Sequence, residues 1–502
     1  MLKRALLGLV ALIALLVVVL AVNTWRQGSR QLDVPAVQGL VVDEGAVAAS
    51  LAVAIRARTI SSLDDPSLNA DQFKLLHEHL QVRYPKLHAT LQREVIGGLS
   101  LLYTWRGSDA AAPGIALMAH QDVVPVAPGT EDDWQAQPFG GEVMDGFVWG
   151  RGSWDDKGNL IAQLEAVEAL VAAGFKPQRS IYLVFGADEE VGGERGALQI
   201  AKLLQQRGVK LDFVIDEGLL ITHGLLKGLT PPAALVGVAE KGYLSMQLQA
   251  KATPGHSSMP PPEAGRSAIA QMSRALVKLD QQPMPASIGG IAGEMFDAVA
   301  PEMSGFPRVA LSNRWLFGPV LRGQLEQAPS TNALLRTTTA LTIVNAGNKD
   351  NVLPGRAEGV VNFRLLPGST IESVTEHVRR VIADDGIELK VLPGSSNPSA
   401  VASTSSRGYQ AITRTIRELF PGTVVAPGLM LGGTDSRHFQ ALSPNIFKFS
   451  PVRAGPEDLS RFHGTNERIA LTNLAELVRF YHRLLQQSAG PPSSKSTEGA
   501  SP

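Results

Sequence analysis

Short apolar runs, each closing on a cluster of acids or histidines, set the tightest limit on how this chain folds. Gly114 to Met118 (GIALM), Ile181 to Phe185 (IYLVF) and Phe213 to Ile215 read as strands buried on both faces. Between the first two, Leu160 to Ala173 reads as a helix with Leu160, Leu164, Val167 and Leu170 on one side. This rhythm predicts an α/β fold, a mixed sheet flanked by helices. Residues 23 to about 110 read as a stalk leading into a helical segment.

Near residue 240 the pattern changes. Leu244, Met246, Leu248 and Ala250 alternate with polar residues, as do Val361, Phe363 and Leu365, and a helix aligns Ile269, Met272, Leu276 and Leu279. Strands wet on one face with helices between them predict a two-layer α+β domain inserted into the first. The expected division is 1–30 anchor, 31–236 first part of the catalytic domain, 237–397 inserted lid or dimerisation domain, and 398–487 second part. The Gly, Pro and Ser-rich residues 488–502 are expected to form a disordered tail.

Lys3 and Arg4 precede an unbroken apolar run from Ala5 to Val22. Its length lies between a secretory h-region and a spanning helix. The basic pair favours an uncleaved signal anchor with the rest of the chain outside the cytoplasm, periplasmic, extracellular or lumenal. Val19-Leu20-Ala21 offers a weak cleavage site that would make the protein secreted. Lys plus Arg (46) balances Asp plus Glu (47), which argues against a nucleic-acid partner held by charge. The absence of cysteine excludes disulfides, thiolate metal sites and a Cys nucleophile.

Five polar clusters follow the strand-like segments, where α/β sheets build their sites. They are His120-Gln121-Asp122, the stretch around Asp155-Asp156, Asp188-Glu189-Glu190, Asp216-Glu217-Gly218, and His463 with its neighbours. Each alone is compatible with an ordinary turn or solvated face. Consecutive acids at a buried strand end repel one another, and a cation offsets that repulsion. Two histidines and several carboxylates without cysteine form a nitrogen and oxygen donor set suited to zinc, manganese or cobalt. The acids outnumber the needs of one tetrahedral ion, which favours two metals.

At these residues the chain resembles metallopeptidase family twenty, the co-catalytic zinc exopeptidases of clan MH. The motifs are MAHQDVVPV, GRGSWDDKG, ADEEVGG, IDEG, TPGHSS, NVLPG, GGTDSRHF and FHGTNE, from about residue 45 to 485. The branch it most resembles is that of carboxypeptidase S, aminoacylase and N-fatty-acyl-amino-acid synthase/hydrolase, through TNALLRTTTALTI, EKG and GHSSMPPP. The resemblance implies a zinc-exopeptidase-like catalytic domain with two Zn2+ per subunit. It implies His120, Asp155, Glu190, Asp216 (or Glu217) and His463 as ligands, Asp155 bridging both ions with a cis peptide to Asp156. Glu189 would be the general base and Asp122 would orient His120. His256 would stabilise the oxyanion, sometimes across a homodimer, and Asn351, Arg364 and Arg437 would hold the substrate carboxylate. From the residues alone, His256 reads equally as a turn histidine and Arg364 as part of an exposed strand face.

The stretch 281–330 carries Met295, Phe296, Met303, Phe306, Trp315, Leu316 and Phe317. It packs the insert's own core or lines an apolar substrate pocket. The function expected is a dinuclear zinc amidohydrolase that frees a C-terminal amino acid from a short peptide or an N-acyl amino acid. The alternatives are a metal-dependent deacetylase or desuccinylase of a metabolic intermediate, and a tethered binding protein on the same scaffold.

Overall fold

The computed structural model describes residues 1–224 and 228–491. The apolar runs form a mixed sheet of eight strands in spatial order Gln92–Ile96, Ser100–Trp105, Ile181–Gly186, Gly114–His120, Leu211–Thr222, Ile446–Ala454, Ala233–Glu240 and Val424–Met430. The Gly114–His120 strand is parallel to both of its neighbours. Helices cover both faces, which is why these strands lack alternation. Ile115, Leu117 and Ala119 join a core with helices Glu44–Arg56, Lys157–Ala172, Arg407–Leu419 and Leu471–Ala489. Ala116 and Met118 point the other way, toward helix Ala197–Gln206.

A second sheet has the antiparallel order Thr338–Ala346, Arg356–Leu365, Gly242–Lys251 and Ile387–Val391. Its apolar side, with Leu244, Met246, Leu248, Val361 and Phe363, packs on helices Ala268–Gln281 and Ile371–Ile382. The chain passes from one sheet to the other at Lys241, because Ala233–Glu240 is still a strand of the first. That is four residues later than the pattern suggested.

Three segments differ from expectation. Residues 31–40 are no free stalk: Gln31 bonds both main-chain groups of Val425, and Leu40 O accepts from Arg479. Beyond them, Gln92–Ile96 and Ser100–Trp105 form the sheet's outer hairpin. Of the stretch 281–330, Met284 packs against the insert's core, but the helical part turns to the first sheet. Met295, Phe296 and Met303 lie against Ala233, Val424 and Ala426. Helix Gly290–Val299 thus covers the outermost strand of the first sheet, which would otherwise expose apolar side chains and unpaired backbone. The last helix continues to Ala489, so 488 and 489 are helical, and the remaining expected tail lies largely outside the described residues.

Candidate metal centre and active site

Strand ends deliver most of the chemistry to one place. Gly114–His120 ends on His120, Ile181–Gly186 runs into Asp188, Glu189 and Glu190, and Leu211–Thr222 carries Asp216 and Glu217. The loop before helix Lys157–Ala172 adds Asp155 and Asp156, joined by a cis peptide. His463 arrives from a loop near the C-terminus, with a φ of 57°.

The geometry centres on Asp155. Its Oδ1 lies 2.9 Å from His120 Nε2 and its Oδ2 lies 2.8 Å from His463 Nε2. His120 Nε2 is also 3.4 Å from Glu217 Oε1, and His463 Nε2 is 3.3 Å from Glu190 Oε2. One buried carboxylate therefore separates two nests, each with an imidazole and a second acid. Donor atoms of His120, Asp155 and Glu190 lie within 4.8 Å of one another, as do those of His120, Asp156 and Glu217.

Asp122 organises the surroundings. His120 Nδ1 faces the Asp122 main-chain oxygen at 2.9 Å, which assigns the proton to Nδ1 and leaves Nε2 free to ligate. The buried Asp122 carboxylate accepts from Ser61 Oγ at 2.7 Å and from the amides of Glu189 and Glu190 at 3.2 and 3.1 Å. One side chain thus sets the positions of a histidine and two acids.

The electrostatics of the cluster favour a cation. Burial, reinforced by the charge of Asp155, pushes the Glu217 carboxyl up to about 8. Burial pushes Glu189 well above the carboxylate range, aided by Asp435 and Glu217 and opposed by His120. Asp155 is held low, because hydrogen bonds from His120 and His463 overcome the effect of burial. His463 is raised to about 10 by its bonds to Asp155 and Glu190. A divalent cation between these acids would offset their mutual repulsion. The donor set fits such a cation: it is all nitrogen and oxygen, and Glu190 Oε1 is buried with no hydrogen-bond partner.

The sequence pattern of Peptidase family M20/M25/M40 matches residues 116–487 of this chain. The chain belongs to this family. Over 498 residues it is 41% identical to the N-fatty-acyl-amino acid synthase/hydrolase PM20D1 of Xenopus tropicalis, covering 97% of this chain and 95% of that protein. It is also 41% identical to the probable carboxypeptidase S-like 2 of Dictyostelium discoideum, over 88% of this chain and 85% of the other. The fold matches an M20 family metallo-carboxypeptidase from Sulfolobus solfataricus, with a TM-score of 0.63 at 18% identity over 89% of this chain and 99% of that one. This M20 protein is an enzyme, a metal-dependent hydrolase of amide bonds, on a mixed sheet flanked by helices.

The remaining candidate residues fall in different places. Arg437 borders the centre and donates to Gly192 O at 2.6 Å. His256 and Asn351 stand together on the insert, where Ser257 N donates to Asn351 O, and His256 is exposed with Nδ1 2.8 Å from Ser258 Oγ. Arg364 lies on the insert's open face with its guanidinium 4.8 Å from the Tyr243 ring. Among the described residues no hydrogen bond or ion pair joins His256, Asn351 or Arg364 to the acid cluster.

Asp216 and Glu217 separate clearly. Asp216 spends its two oxygens on the amides of Glu217 and Ser436, both at 2.9 Å, while Glu217 faces His120. Neighbours in a strand point to opposite sides, so one of the pair turns away. Asp216→Asn is expected to cost no more than the ~10–100-fold loss of metal affinity of an outer partner. Glu217→Gln should cost more, in a zinc titration of both variants, and equal losses would return Asp216 to the ligand set.

Three polar residues escaped sequence reasoning. Glu467 and Arg151 form a buried pair at 2.7 Å beneath the Asp155 loop. Asp435 is buried with neither oxygen hydrogen-bonded, against Gly186 and Gly193. All three lie within quoted motifs, FHGTNE, GRGSWDDKG and GGTDSRHF, and that placement was the available signal.

Proposed function

We propose that this M20 hydrolase is a dinuclear zinc amidohydrolase that releases a C-terminal amino acid from an N-acyl amino acid or a short peptide. The observation that carries the reading is the placement of the two Asp155 oxygens, one on each imidazole. His120, Asp155 and Glu217 would hold one Zn2+, and Asp155, Glu190 and His463 the other. When bound, the cations polarise the scissile carbonyl and bring the acidity of water toward neutrality. Glu189 takes the proton from the attacking water and returns it to the departing amine. Arg437 on the body, with Arg364 and Asn351 on the insert, offers guanidinium and amide donors to the free carboxylate. His256 supplies an N–H to the developing oxyanion as the insert approaches the centre or as a second copy docks. A homodimer is supported by the insert's outer strand, where Leu341, Ile343 and Val344 are exposed. Condensation by the same centre is the reverse of this reaction.

Helix Leu2–Arg26 is long and apolar enough to cross a membrane, and none of its spanning window is buried. We read it as an uncleaved anchor with Lys3 and Arg4 on the cytoplasmic side and the catalytic domain opposite.

A panel of N-acyl amino acids and their C-terminal amides tests the substrate class. Free acids should be cleaved and the amides should lose most of their kcat/KM. Chelation should abolish activity and zinc should restore it at two equivalents per chain. Equal cleavage of acids and amides would remove the carboxylate-recognition reading, and full activity at one equivalent would remove the second ion. The metabolic deacetylase alternative would show itself by a strict preference for acetyl or succinyl groups.

A further inference from the structure

We infer that residues 305–320 form a second membrane contact, lying in the headgroup and upper acyl region of the bilayer that holds the N-terminal helix. The inference rests on the anchor reading and adds a surface to it. Helices Gly305–Ser312 and Arg314–Leu325 expose Phe306 (65%), Trp315 (61%) and Val320 (59%), with Leu316 beside them. Phe306 and Phe317 pack edge to face at 5.5 Å, so the exposed side chains form one patch rather than scattered residues.

Contacts with the first helix fix the depth of this patch. Asn313 Nδ2 donates to Leu20 O at 3.3 Å and to Thr24 Oγ1 at 3.1 Å, and Asn23 Nδ2 donates to Asn313 Oδ1 at 3.1 Å. Gln27 Nε2 donates to Ser312 O. Leu16, Leu20, Asn23, Thr24 and Gln27, one stripe of that helix, are partly covered, and the helix packs on Gly305–Ser312. Leu20 lies inside the apolar run that ends at Val22, and Leu16 lies about 9 Å before that end at the rise of an α-helix. A helix crossing the bilayer through Ala5–Val22 therefore brings the 305–320 segment to the membrane boundary with it.

The chemistry of the patch suits that depth. Trp and Phe are favoured at the interface, where the ring is apolar and the edge meets polar groups. The Trp315 indole N–H donates inward to Asn313 Oδ1 at 3.3 Å, so the ring enters lipid without an unpaired donor. Arg314, next to Trp315 in the chain, pairs with Asp297 at 2.7 Å, and Arg308 Nε is buried away from the surface. The occupant of this face is lipid.

The chain contains no cysteine, so single cysteines report uniquely. Full-length Phe306→Cys, Leu316→Cys and Val320→Cys carry an environment-sensitive fluorophore in phosphatidylcholine vesicles bearing an acyl-chain nitroxide. Val10→Cys reports on the anchor and Val143→Cys, exposed on the catalytic body, on the aqueous baseline. Blue-shifted emission and loss of most of the signal to nitroxide at all three patch positions, with Val143 unaffected, is expected. Quenching at Val10 but at none of the three would overturn the membrane contact and leave the anchor standing. No quenching at Val10 would overturn the anchor and the contact together. Self-quenching between labelled copies, without quenching by lipid, would assign the face to a second copy and overturn the proposal.

Discussion

Glu189→Gln should lower kcat by about 10²–10⁴-fold, the usual worth of a positioned general base, while bound metal stays at the wild-type level. The substitution keeps the size and shape of the side chain and removes its ability to accept a proton. The main chain should stay in place, because the Glu189 and Glu190 amides donate to Asp122 and neither bond involves the altered carboxylate. Turnover and metal content measured on the same preparation check both halves. Parallel loss of metal and activity would move Glu189 into the ligand set. A variant retaining most of its turnover would require a different base, and Asp435 would be the next acid to test.

Glu467→Ala should produce the largest loss of stability, about 3–5 kcal/mol, the cost of removing one partner of a buried ion pair. Glu467 is fully buried, and its Oε1 accepts from the amides of Gly152, Trp154 and Asp155 at 2.9, 2.9 and 3.1 Å. Its Oε2 accepts from Arg151 Nη1 at 2.7 Å, and Arg151 Nη2 reaches His463 O and Gly464 O. Alanine leaves Arg151 without its counter-charge and three amides without their acceptor. Stability of a typical domain is only about 5–15 kcal/mol, so the loss should be plain in thermal unfolding. Zinc should raise the variant's unfolding temperature again, because ligand binding to the folded state opposes the loss. Wild-type unfolding in the variant would show that the Asp155 loop holds its shape unaided.

The strands carrying His120, Glu189 and Glu217 were legible because burial on both faces leaves continuous apolar runs with acids at their ends. Parallel neighbours then bring those ends together. Which of Asp216 and Glu217 faces His120 was not legible, because adjacent strand residues differ only in the side they face, and Asp216 is occupied by Ser436 N from 220 residues away. Distance in sequence also hid the Glu467 clamp, whose amide partners lie 312 to 315 residues earlier. The outer hairpin at 92–105 was missed because Gln92–Ile96 is only partly buried and its apolar signal is thin. Helix Gly290–Val299 looked like part of the insert by position, but the side chains it needs to meet belong to the first sheet.

The Ile446–Ala454 strand lies inside the main sheet, between Leu211–Thr222 and Ala233–Glu240. On a ribosome it emerges more than 190 residues after either of those neighbours has begun, and His463 follows it. Domains form from the N-terminal side as the chain is made. Here the middle of the sheet stays open until residues 446–454 are made, so the centre that needs His463 cannot assemble from the earlier segments alone.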